Sequence, residues 1–337
     1  MKILTRLAIA VLLTIAIAFG GLVTHAGGWD NFKLRYFFLT KYFNDQNKEL
    51  DDLRKQNKNP LENARIKLDD LLDGGPGKDG IPSIDNPSFD TAKTTLFKSD
   101  ETVIGVVVNG EAKAYPFGIM NWHEIVNDTV GGINVAVSYC PLCDTIVAFQ
   151  RGGSTFGVSG KLYHSCLIMY DRADDTLYAQ PWALGVFGPR ANVSLAKVPT
   201  VKTTLGAWLK KYPNSKILST KTGHNRNYQR YPYGTYYTDN QIIFPVRNQG
   251  SRKLLPKAIV TYVWEADNKK PNNRFSGASL QFNHQEMAKV GTKLVDFNDR
   301  QIRARWDKEF ETVIVEELDG KQIPSSTAFA FVYPAFF

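Results

Sequence analysis

The feature that most limits the fold of this chain is a series of short β-type runs separated by tight-turn signals. The clearest pair is residues 103–108 and 111–115, which are joined by Asn109-Gly110. Asn-Gly favours a two-residue type I′ hairpin turn, because both turn residues then have positive φ. Apolar alternation bounded by turn residues predicts further strands at 129–139 (after a Gly-Gly turn), 145–150, 156–160 and 167–171.

Only two helices stand out, at 116–127 and 203–212, and the apolar, aromatic tail 327–337 is expected to pack into the core. The glycine- and proline-rich loop 74–83 is interpreted as a structural turn. The predicted fold class is therefore mainly β (α+β), with a compact domain of antiparallel strands and a few short helices over residues 74–337.

The N-terminal residues decide the predicted compartment. Lys2 and Arg6 precede the uncharged run 7–23, which is typical of a signal peptide or a membrane anchor over residues 1–26. Either outcome leaves the bulk of the chain extracytoplasmic, because the positive end stays inside. The membrane is therefore an expected partner through this segment. Residues 27–73 are predicted to be an amphipathic, helical stalk that is interrupted at Pro60.

The net charge of +8 comes from lysines and arginines that are scattered along the chain. Scattered cations favour solubility or attraction to anionic lipid headgroups. No helix-turn-helix, zinc-finger or RNA-binding pattern accompanies them, so no nucleic-acid partner is expected.

The chemistry of the chain centres on its three cysteines, which all lie within residues 140–166. Cys140 and Cys143 form a CxxC motif between two β-type runs, so the motif is predicted to turn from one strand into the next. Thioredoxin-type dithiols instead lie at a helix N-terminus. The motif is compatible with a redox dithiol, with two metal ligands or with a plain disulfide.

Metal ligands beyond the CxxC must come from elsewhere in the chain. His164 and Cys166 are two residues apart and would face one side of a strand, completing a Cys₃His set that suits zinc or copper(I). His123 is a further candidate ligand, on a predicted helix that runs on through Asn127. His123 and Glu124 are also a candidate acid–base pair.

One loop could serve a ligand rather than a reaction. Residues 223–234 mix cations with aromatic side chains and could bind an anionic or sugar-like ligand. A solvated loop braced by its aromatic residues is the favoured interpretation.

Five stretches together resemble a bacterial family called domain of unknown function 3179, over roughly residue 74 to the C-terminus. They are residues 79–83 (DGIPS), 121–128 (NWHEIVND), 139–143 (YCPLC), 156–160 (FGVSG) and 169–172 (MYDR). Some members of that family are described as selenoproteins with selenocysteine in the CxxC region. The resemblance therefore implies redox or soft-metal chemistry at Cys140 and Cys143. Asp144 replaces the usual glycine, and His164 and Cys166 stand where asparagine is expected, so His123 with the CxxC cysteines is the safer core.

Two hypotheses follow. In the first, the chain is an extracytoplasmic, membrane-associated protein with a copper or zinc centre, or a thiol-redox centre, at Cys140 and Cys143. If it is an enzyme, it is an oxidoreductase or a metal-dependent redox protein. In the second, it is a non-catalytic envelope binding module whose cysteines form a structural disulfide.

Overall fold

The computed structural model describes residues 64–250, 253–266 and 277–337. The predicted signal peptide or anchor and residues 27–63 of the predicted stalk lie outside these ranges. Within them, no helix has both the length and the apolar character that crossing a membrane requires.

Short strands account for most of the regular structure. They are β1 (Leu72–Asp73), β2 (Phe89–Asp90), β3 (Thr102–Val108), β4 (Glu111–Pro116), β5 (Ile125–Val130), β6 (Ile133–Cys140), β7 (Thr145–Gln150), β8 (Phe156–Tyr163), β9 (Cys166–Asp171), β10 (Leu177–Ala179), β11 (Leu184–Phe187), β12 (Lys197–Val198), β13 (Thr200–Thr204), β14 (Lys216–Leu218), β15 (Ile259–Ala266), β16 (Gly277–Asn283), β17 (Thr292–Phe297), β18 (Arg300–Asp307), β19 (Thr312–Glu317) and β20 (Ser325–Phe329). The helices are α1 (Phe117–His123), α2 (Leu205–Lys211), α3 (His284–Val290) and α4 (Val332–Phe336), with 3₁₀ turns at Leu68–Asp70 and Gln180–Trp182.

The strands form five sheets. Sheet A has the order β1-β8-β9-β10-β11, sheet B β12-β7-β6-β5, sheet C β13-β3-β4-β14-β2, sheet D β16-β15-β20 and sheet E β17-β18-β19. The β14–β4 ladder is parallel, whereas the other ladders between these strands are antiparallel. The prediction of a β-rich domain of antiparallel strands is confirmed.

The hairpin turns lie where the sequence predicts them. Asn109 and Gly110 have φ values of 47° and 82°, so the β3–β4 hairpin has the positive-φ turn that Asn-Gly favours. Gly131 and Gly132 make the same kind of turn between β5 and β6. Thr204 caps α2 by accepting a hydrogen bond from the Ala207 amide at 3.3 Å.

The predicted helix at 116–127 is too long. Helix α1 ends at His123, and Glu124 follows with φ 57°, a left-handed conformation that non-glycine residues rarely adopt. The next residues form β5, which pairs along its whole length with β6. The prediction that Asn127 lies one helical turn beyond His123 is therefore wrong, because sheet pairing overrides the helical pattern.

The largest hydrophobic cluster is built from sheets A, B and D and contains all three cysteines. The C-terminal tail packs into it as predicted, and the Trp182 indole donates a hydrogen bond to the Phe336 carbonyl at 3.0 Å. Ile66 and Leu71 belong to the same cluster, and β1 pairs with β8. Residues 64–73 of the predicted stalk thus lie on the β-rich domain, which begins before residue 74.

Candidate redox site and cleft

The CxxC motif forms the turn between two strands, as the sequence predicts. Cys140 is the last residue of β6 and pairs with Thr145, the first residue of β7. The turn closes through a hydrogen bond from the Cys143 amide to the Cys140 carbonyl at 3.3 Å. Asp144 completes it with φ 52°, a conformation that asparagine, aspartate and glycine tolerate best.

The backbone of this turn is held from the opposite side of the core. The Tyr236 hydroxyl donates a hydrogen bond to the Leu142 carbonyl at 2.7 Å, and the Phe329 amide of β20 donates one to the Cys143 carbonyl at 2.9 Å. These bonds fix the main chain between the two cysteines. The Leu142 side chain remains as the part of the turn that faces the cleft described below.

Cys166 joins the two CxxC cysteines. It is the first residue of β9, and its thiol interacts with that of Cys143, which also interacts with Cys140. The Thr145 hydroxyl donates a hydrogen bond to the Cys143 sulfur at 3.1 Å. None of the three cysteines is joined in a disulfide in this structure, and their exposed fractions are 1% for Cys140 and 0% for the other two.

Burial sets the protonation of these thiols. It raises the pKa of Cys140 and of Cys143 well above the ordinary value of 9.0, and it raises the pKa of Cys166 to about 11. All three are therefore neutral thiols near pH 7. A thiolate, which is the nucleophile and the metal ligand, forms here only if a neighbouring group or ion takes the proton.

Glu124 is a buried residue near Cys140. Its carbonyl accepts a hydrogen bond from the Tyr139 amide at 2.7 Å, which ties it to the end of β6, and its carboxyl group interacts electrostatically with Cys140. The carboxyl is 5% exposed and accepts a hydrogen bond from the Tyr233 hydroxyl at 3.0 Å. Burial raises the pKa of Glu124 to about 7, although the hydrogen bond from Tyr233 lowers it.

Both ring nitrogens of His123 have hydrogen-bond partners. One ring nitrogen is 2.8 Å from the Pro82 carbonyl and the other is 2.8 Å from the Tyr228 hydroxyl. Burial lowers the pKa of His123 to about 4, so the ring is neutral at pH 7. Either nitrogen would have to give up a hydrogen bond before it could bind a metal at the cysteines.

His164 does not lie on a strand. With Ser165 it forms the two-residue turn between β8 and β9, with φ values of 48° and 64°. The prediction that His164 and Cys166 share one strand face is therefore wrong. The ring instead packs against Tyr163, with centroids 4.1 Å apart, and against Phe336 at 5.8 Å.

Among the residues that the structure describes, no group of three or more histidine, cysteine, aspartate or glutamate side chains is arranged to hold a metal ion. The copper or zinc site at Cys140, Cys143 and Cys166 therefore stays a prediction.

A cleft of about 480 Å³ lies beside the CxxC turn. Glu124, Leu142 and Tyr233 contribute to its wall next to the cysteines. Most of the remaining wall is apolar, and it is supplied by Pro76, Ile81, Pro82, Trp122, Val158, Leu162, Leu167 and Pro232. Clefts of this size and character are typical of small-ligand sites.

Polar groups stand at two places on the wall of this cleft. Lys161 is buried in it and pairs with Asp73 at 3.7 Å. Exposed Asn225, Arg226 and Asn227 stand at its rim. The cation-rich loop 223–234 is thus both braced by buried Tyr228 and Tyr233, as favoured from the sequence, and part of a potential ligand site.

A cluster of polar side chains holds the glycine- and proline-rich loop 74–83, which forms part of the cleft wall. The Arg172 guanidinium donates to Asp79 at 2.8 Å, to Ser83 at 3.0 Å and to both Asp85 oxygens at 3.3 Å. The Tyr170 hydroxyl also donates to Asp79. We call these five residues the Arg172 cluster.

A glycine allows the same loop to approach the sheet. Gly160 has φ 75°, and a Cβ atom there would lie 2.4 Å from the Gly77 carbonyl carbon. The Gly74 amide also donates a hydrogen bond to the Gly160 carbonyl at 2.7 Å. Any side chain at residue 160 would therefore push the loop away from the cleft.

Comparison with protein-family models gives one match. Residues 78–326 match the model of a family described as a protein of unknown function (DUF3179). The chain belongs to this family. No curated protein and no solved structure matches the chain. The stretches that resemble the family converge on one region, because 79–83, 121–124, 142 and 158–160 line or support the cleft and 169–172 holds its loop.

Three residues of the site make contacts that the sequence does not indicate. Tyr233 belongs to the aromatic loop that the sequence singles out, but its contact with Glu124 depends on packing between residues 109 positions apart. Thr145 follows the CxxC as an ordinary strand residue, and nothing in its local pattern indicates a hydrogen bond to sulfur. Lys161 is one of many lysines, and only its burial distinguishes it.

Proposed function

We propose that this protein is an extracytoplasmic, membrane-associated oxidoreductase that exchanges disulfide bonds at Cys140 and Cys143. The observation that carries the proposal is the position of two interacting cysteines, not joined in a disulfide, near a buried carboxyl group whose pKa is raised to about 7. A structural disulfide would need no such carboxyl group. The extracytoplasmic location rests on the N-terminal sequence.

Glu124 supplies the missing proton acceptor. At neutral pH its carboxyl group is ionised in about half of the molecules, because its pKa is about 7. The carboxylate takes the proton of the Cys140 thiol, and the thiolate then attacks one sulfur of a substrate disulfide. Proton transfer of this kind accelerates a reaction by roughly 10²- to 10⁴-fold.

The exchange balances without a further reactant. Attack by Cys140 breaks the substrate disulfide and releases one substrate thiol, which receives a proton from Glu124. Cys143 then attacks the Cys140 sulfur of the mixed disulfide, which forms the Cys140–Cys143 bond and releases the second thiol. The protein loses two electrons and two protons, and the substrate gains them.

The burial of the sulfurs limits the direction from which a substrate can reach them. The thiols are almost fully buried, and the main chain of the turn is held by Tyr236 and Phe329. The Leu142 side chain separates the turn from the cleft and is not fixed by those bonds. A substrate is therefore expected to enter the cleft and displace Leu142.

A copper or zinc centre at the same cysteines is the competing proposal. Metal binding would also remove the thiol protons, which burial otherwise retains. Thiol exchange is preferred because both ring nitrogens of His123 are engaged and because no metal-binding arrangement is found among the described residues.

The reduction potential of the full-length protein tests the proposal. Protein purified without an affinity tag is equilibrated in thiol–disulfide buffers, and the free thiols are counted after alkylation. Two of the three thiols are expected to be lost reversibly at a potential above about −300 mV, since structural disulfides lie below that value. The Cys140–Cys143 pair should account for this loss of thiols. Cys140→Ser should therefore abolish the redox transition of that pair.

Three results would contradict this. A disulfide that persists below about −300 mV would favour the structural-disulfide binding module. Stoichiometric copper or zinc that is lost in Cys140→Ser would favour the metal centre. Three thiols that stay reduced in every buffer would remove the redox pair altogether.

The location has its own test. The outer layers of the cells are opened while the cell membrane is kept intact. A membrane-impermeant reagent that labels lysine is then added. Labelling of the domain before the cell membrane is broken is expected, and labelling only after lysis would overturn the proposed compartment.

A further inference from the structure

Cys143 is a hydrogen-bonding neighbour of both of the other thiols. Cys140 and Cys166 interact with each other only electrostatically. The contact of Cys143 with Cys140 is made within one tight turn, and its contact with Cys166 joins sheet B to the first residue of β9 in sheet A. Cys143 therefore has two possible disulfide partners and can use only one at a time.

Cys140 and Cys166 have different surroundings. Cys140 interacts with Glu124 and Tyr233, which both line the cleft. Cys166 interacts with the side of the core that contains Tyr262, whose hydroxyl is bonded to the Pro181 carbonyl at 3.1 Å. One of these two thiols thus stands next to the cleft, and the other stands next to sheet D.

The Thr145 hydroxyl adds to the role of the Cys143 thiol. It donates a hydrogen bond to the Cys143 sulfur at 3.1 Å, and the same hydroxyl is within reach of Cys166. A donor at this position stabilises negative charge on Cys143 when Cys143 attacks the mixed disulfide, and on Cys166 when Cys166 attacks Cys143.

We propose that Cys166 is a third redox residue, which moves the disulfide from the cleft into the core. This proposal rests on the proposed function and adds a step to it. The Cys166 sulfur attacks the Cys143 sulfur of the Cys140–Cys143 disulfide. The bond between Cys140 and Cys143 breaks, the bond between Cys143 and Cys166 forms, and the proton lost by Cys166 ends on the Cys140 sulfur.

The step balances within the chain. One disulfide and one thiol are present before and after it, so no oxidant or reductant is consumed. Its result is a reduced Cys140 beside Glu124, with the oxidising equivalent stored at Cys143–Cys166. The stored disulfide returns to Cys140 by the reverse exchange.

Disulfide mapping in three serine variants tests the step. The full-length protein and the variants are oxidised in the same glutathione buffer, quenched with acid, alkylated and digested, and the linked peptides are quantified by mass spectrometry. Wild type is expected to contain both Cys140–Cys143 and Cys143–Cys166 linkages. Cys140→Ser should contain only Cys143–Cys166, and Cys166→Ser only Cys140–Cys143.

Cys143→Ser is the matched control. It keeps the thiols of Cys140 and Cys166 but removes the shared partner, so neither linkage forms in it. Cys140→Ala is examined in parallel with Cys140→Ser, and thermal unfolding is recorded for every variant, so that loss of a linkage is not confused with loss of the fold.

The outcomes separate the two proposals. If Cys166→Ser forms its disulfide reversibly and folded Cys140→Ser and Cys140→Ala keep two free thiols, the third redox residue is refuted and the proposed function stands. If no folded variant and no wild-type protein forms a disulfide, both are refuted. A Cys143–Cys166 linkage in Cys140→Ser at a tenth or more of the wild-type oxidation rate supports the step.

Discussion

The Arg172 cluster, which holds a loop of the cleft wall, and Glu124, which lines the cleft, differ in how their charges are compensated. In the Arg172 cluster, one guanidinium donates to two carboxylates, a serine hydroxyl and the Phe156 carbonyl. At the cysteines, the Glu124 carboxyl accepts a hydrogen bond from Tyr233 and is otherwise surrounded by buried groups. The first group is an ion-pair network, and the second is a buried acid beside thiols.

The difference separates residues that hold the site from residues that can react. A carboxylate that accepts hydrogen bonds from arginine fixes the loop that carries it. A buried carboxyl without a cation has a raised pKa and exchanges a proton near pH 7. The resemblance to one family includes both kinds of residue, and only the structure tells them apart.

The largest expected effect comes from Cys140. Cys140→Ser should reduce disulfide exchange with an added disulfide reagent at least about 10³-fold, because serine is not a nucleophile toward sulfur. The rate is measured from the release of a chromophoric thiol. A rate within tenfold of wild type would place the reacting sulfur elsewhere. Ser138→Ala, which removes a buried hydroxyl bonded to the Val147 carbonyl, is the control variant.

Glu124 should give the next largest effect on exchange. Glu124→Gln is expected to lower the rate about 10²-fold at pH 8, because the amide cannot accept the thiol proton. The wild-type rate should rise through pH 7 as the carboxyl group ionises, whereas the variant should show no such rise. Equal pH profiles for the two proteins would show that another group takes the proton.

Glu124→Gln should lower the exchange rate but raise the free energy of unfolding relative to wild type. The folded protein binds the Glu124 proton more tightly than the unfolded chain does, because burial raises the pKa from 4.5 to about 7. This contribution to stability is fully present below pH 4.5 and is lost as pH rises to about 7. As the pH rises from 4.5 to about 7, the free energy of unfolding of Glu124→Gln should therefore increase relative to that of wild type by on the order of 3 kcal/mol.

Denaturant unfolding of both proteins at pH 4.5 and pH 8 measures that change. Equal differences at the two pH values would mean that Glu124 has an ordinary pKa. Glu286→Gln provides a control, since that carboxyl is exposed and pairs with Lys293 at the surface.

A smaller change in stability, with exchange chemistry preserved, is expected for the Arg172 cluster. Arg172→Met should lower the free energy of unfolding by about 2 kcal/mol, because it removes several hydrogen bonds in a partly exposed network. The exchange rate per folded molecule should stay within threefold of wild type. A rate loss as large as that of Glu124→Gln would make the cluster part of the reactive site.

The smallest effect is expected from Thr145. Thr145→Val keeps the shape of the side chain but removes the donor to the Cys143 sulfur. The exchange rate should fall about fivefold, roughly what one lost hydrogen bond of 1 kcal/mol gives. Thr145→Ser should restore the rate, which a purely steric role would not predict.

Sequence patterns predicted those parts of the fold that depend on local chemistry. Asn109-Gly110 and Gly131-Gly132 determine their turns directly, and the strand-like residues on both sides of the CxxC predicted its position between two strands. Helix α1 was predicted too long because the pairing of β5 with β6 is a tertiary effect. The turn at His164 and Ser165 was missed, because the pair lacks the glycine or asparagine that is typical of two-residue hairpin turns.

The candidate site was predictable only in part. The CxxC and Glu124 are visible in the sequence, and their meeting depends on the hydrogen bond between the Tyr139 amide and the Glu124 carbonyl. The contact of Cys166 with Cys143 arises from packing between two sheets, which spacing alone does not encode. His123 was the safer choice from the sequence, yet its ring nitrogens are engaged with Pro82 and Tyr228.

Gly160 has a consequence for how tolerance to mutation is read in this protein. A survey of random substitutions would rank it beside the cysteines, because even alanine would collide with the Gly77 backbone. Yet it has no side chain and transfers neither electrons nor protons. Intolerance at this position would report the fit between a loop and a sheet, so sensitivity scores need a chemical readout before they are used to locate reactive residues.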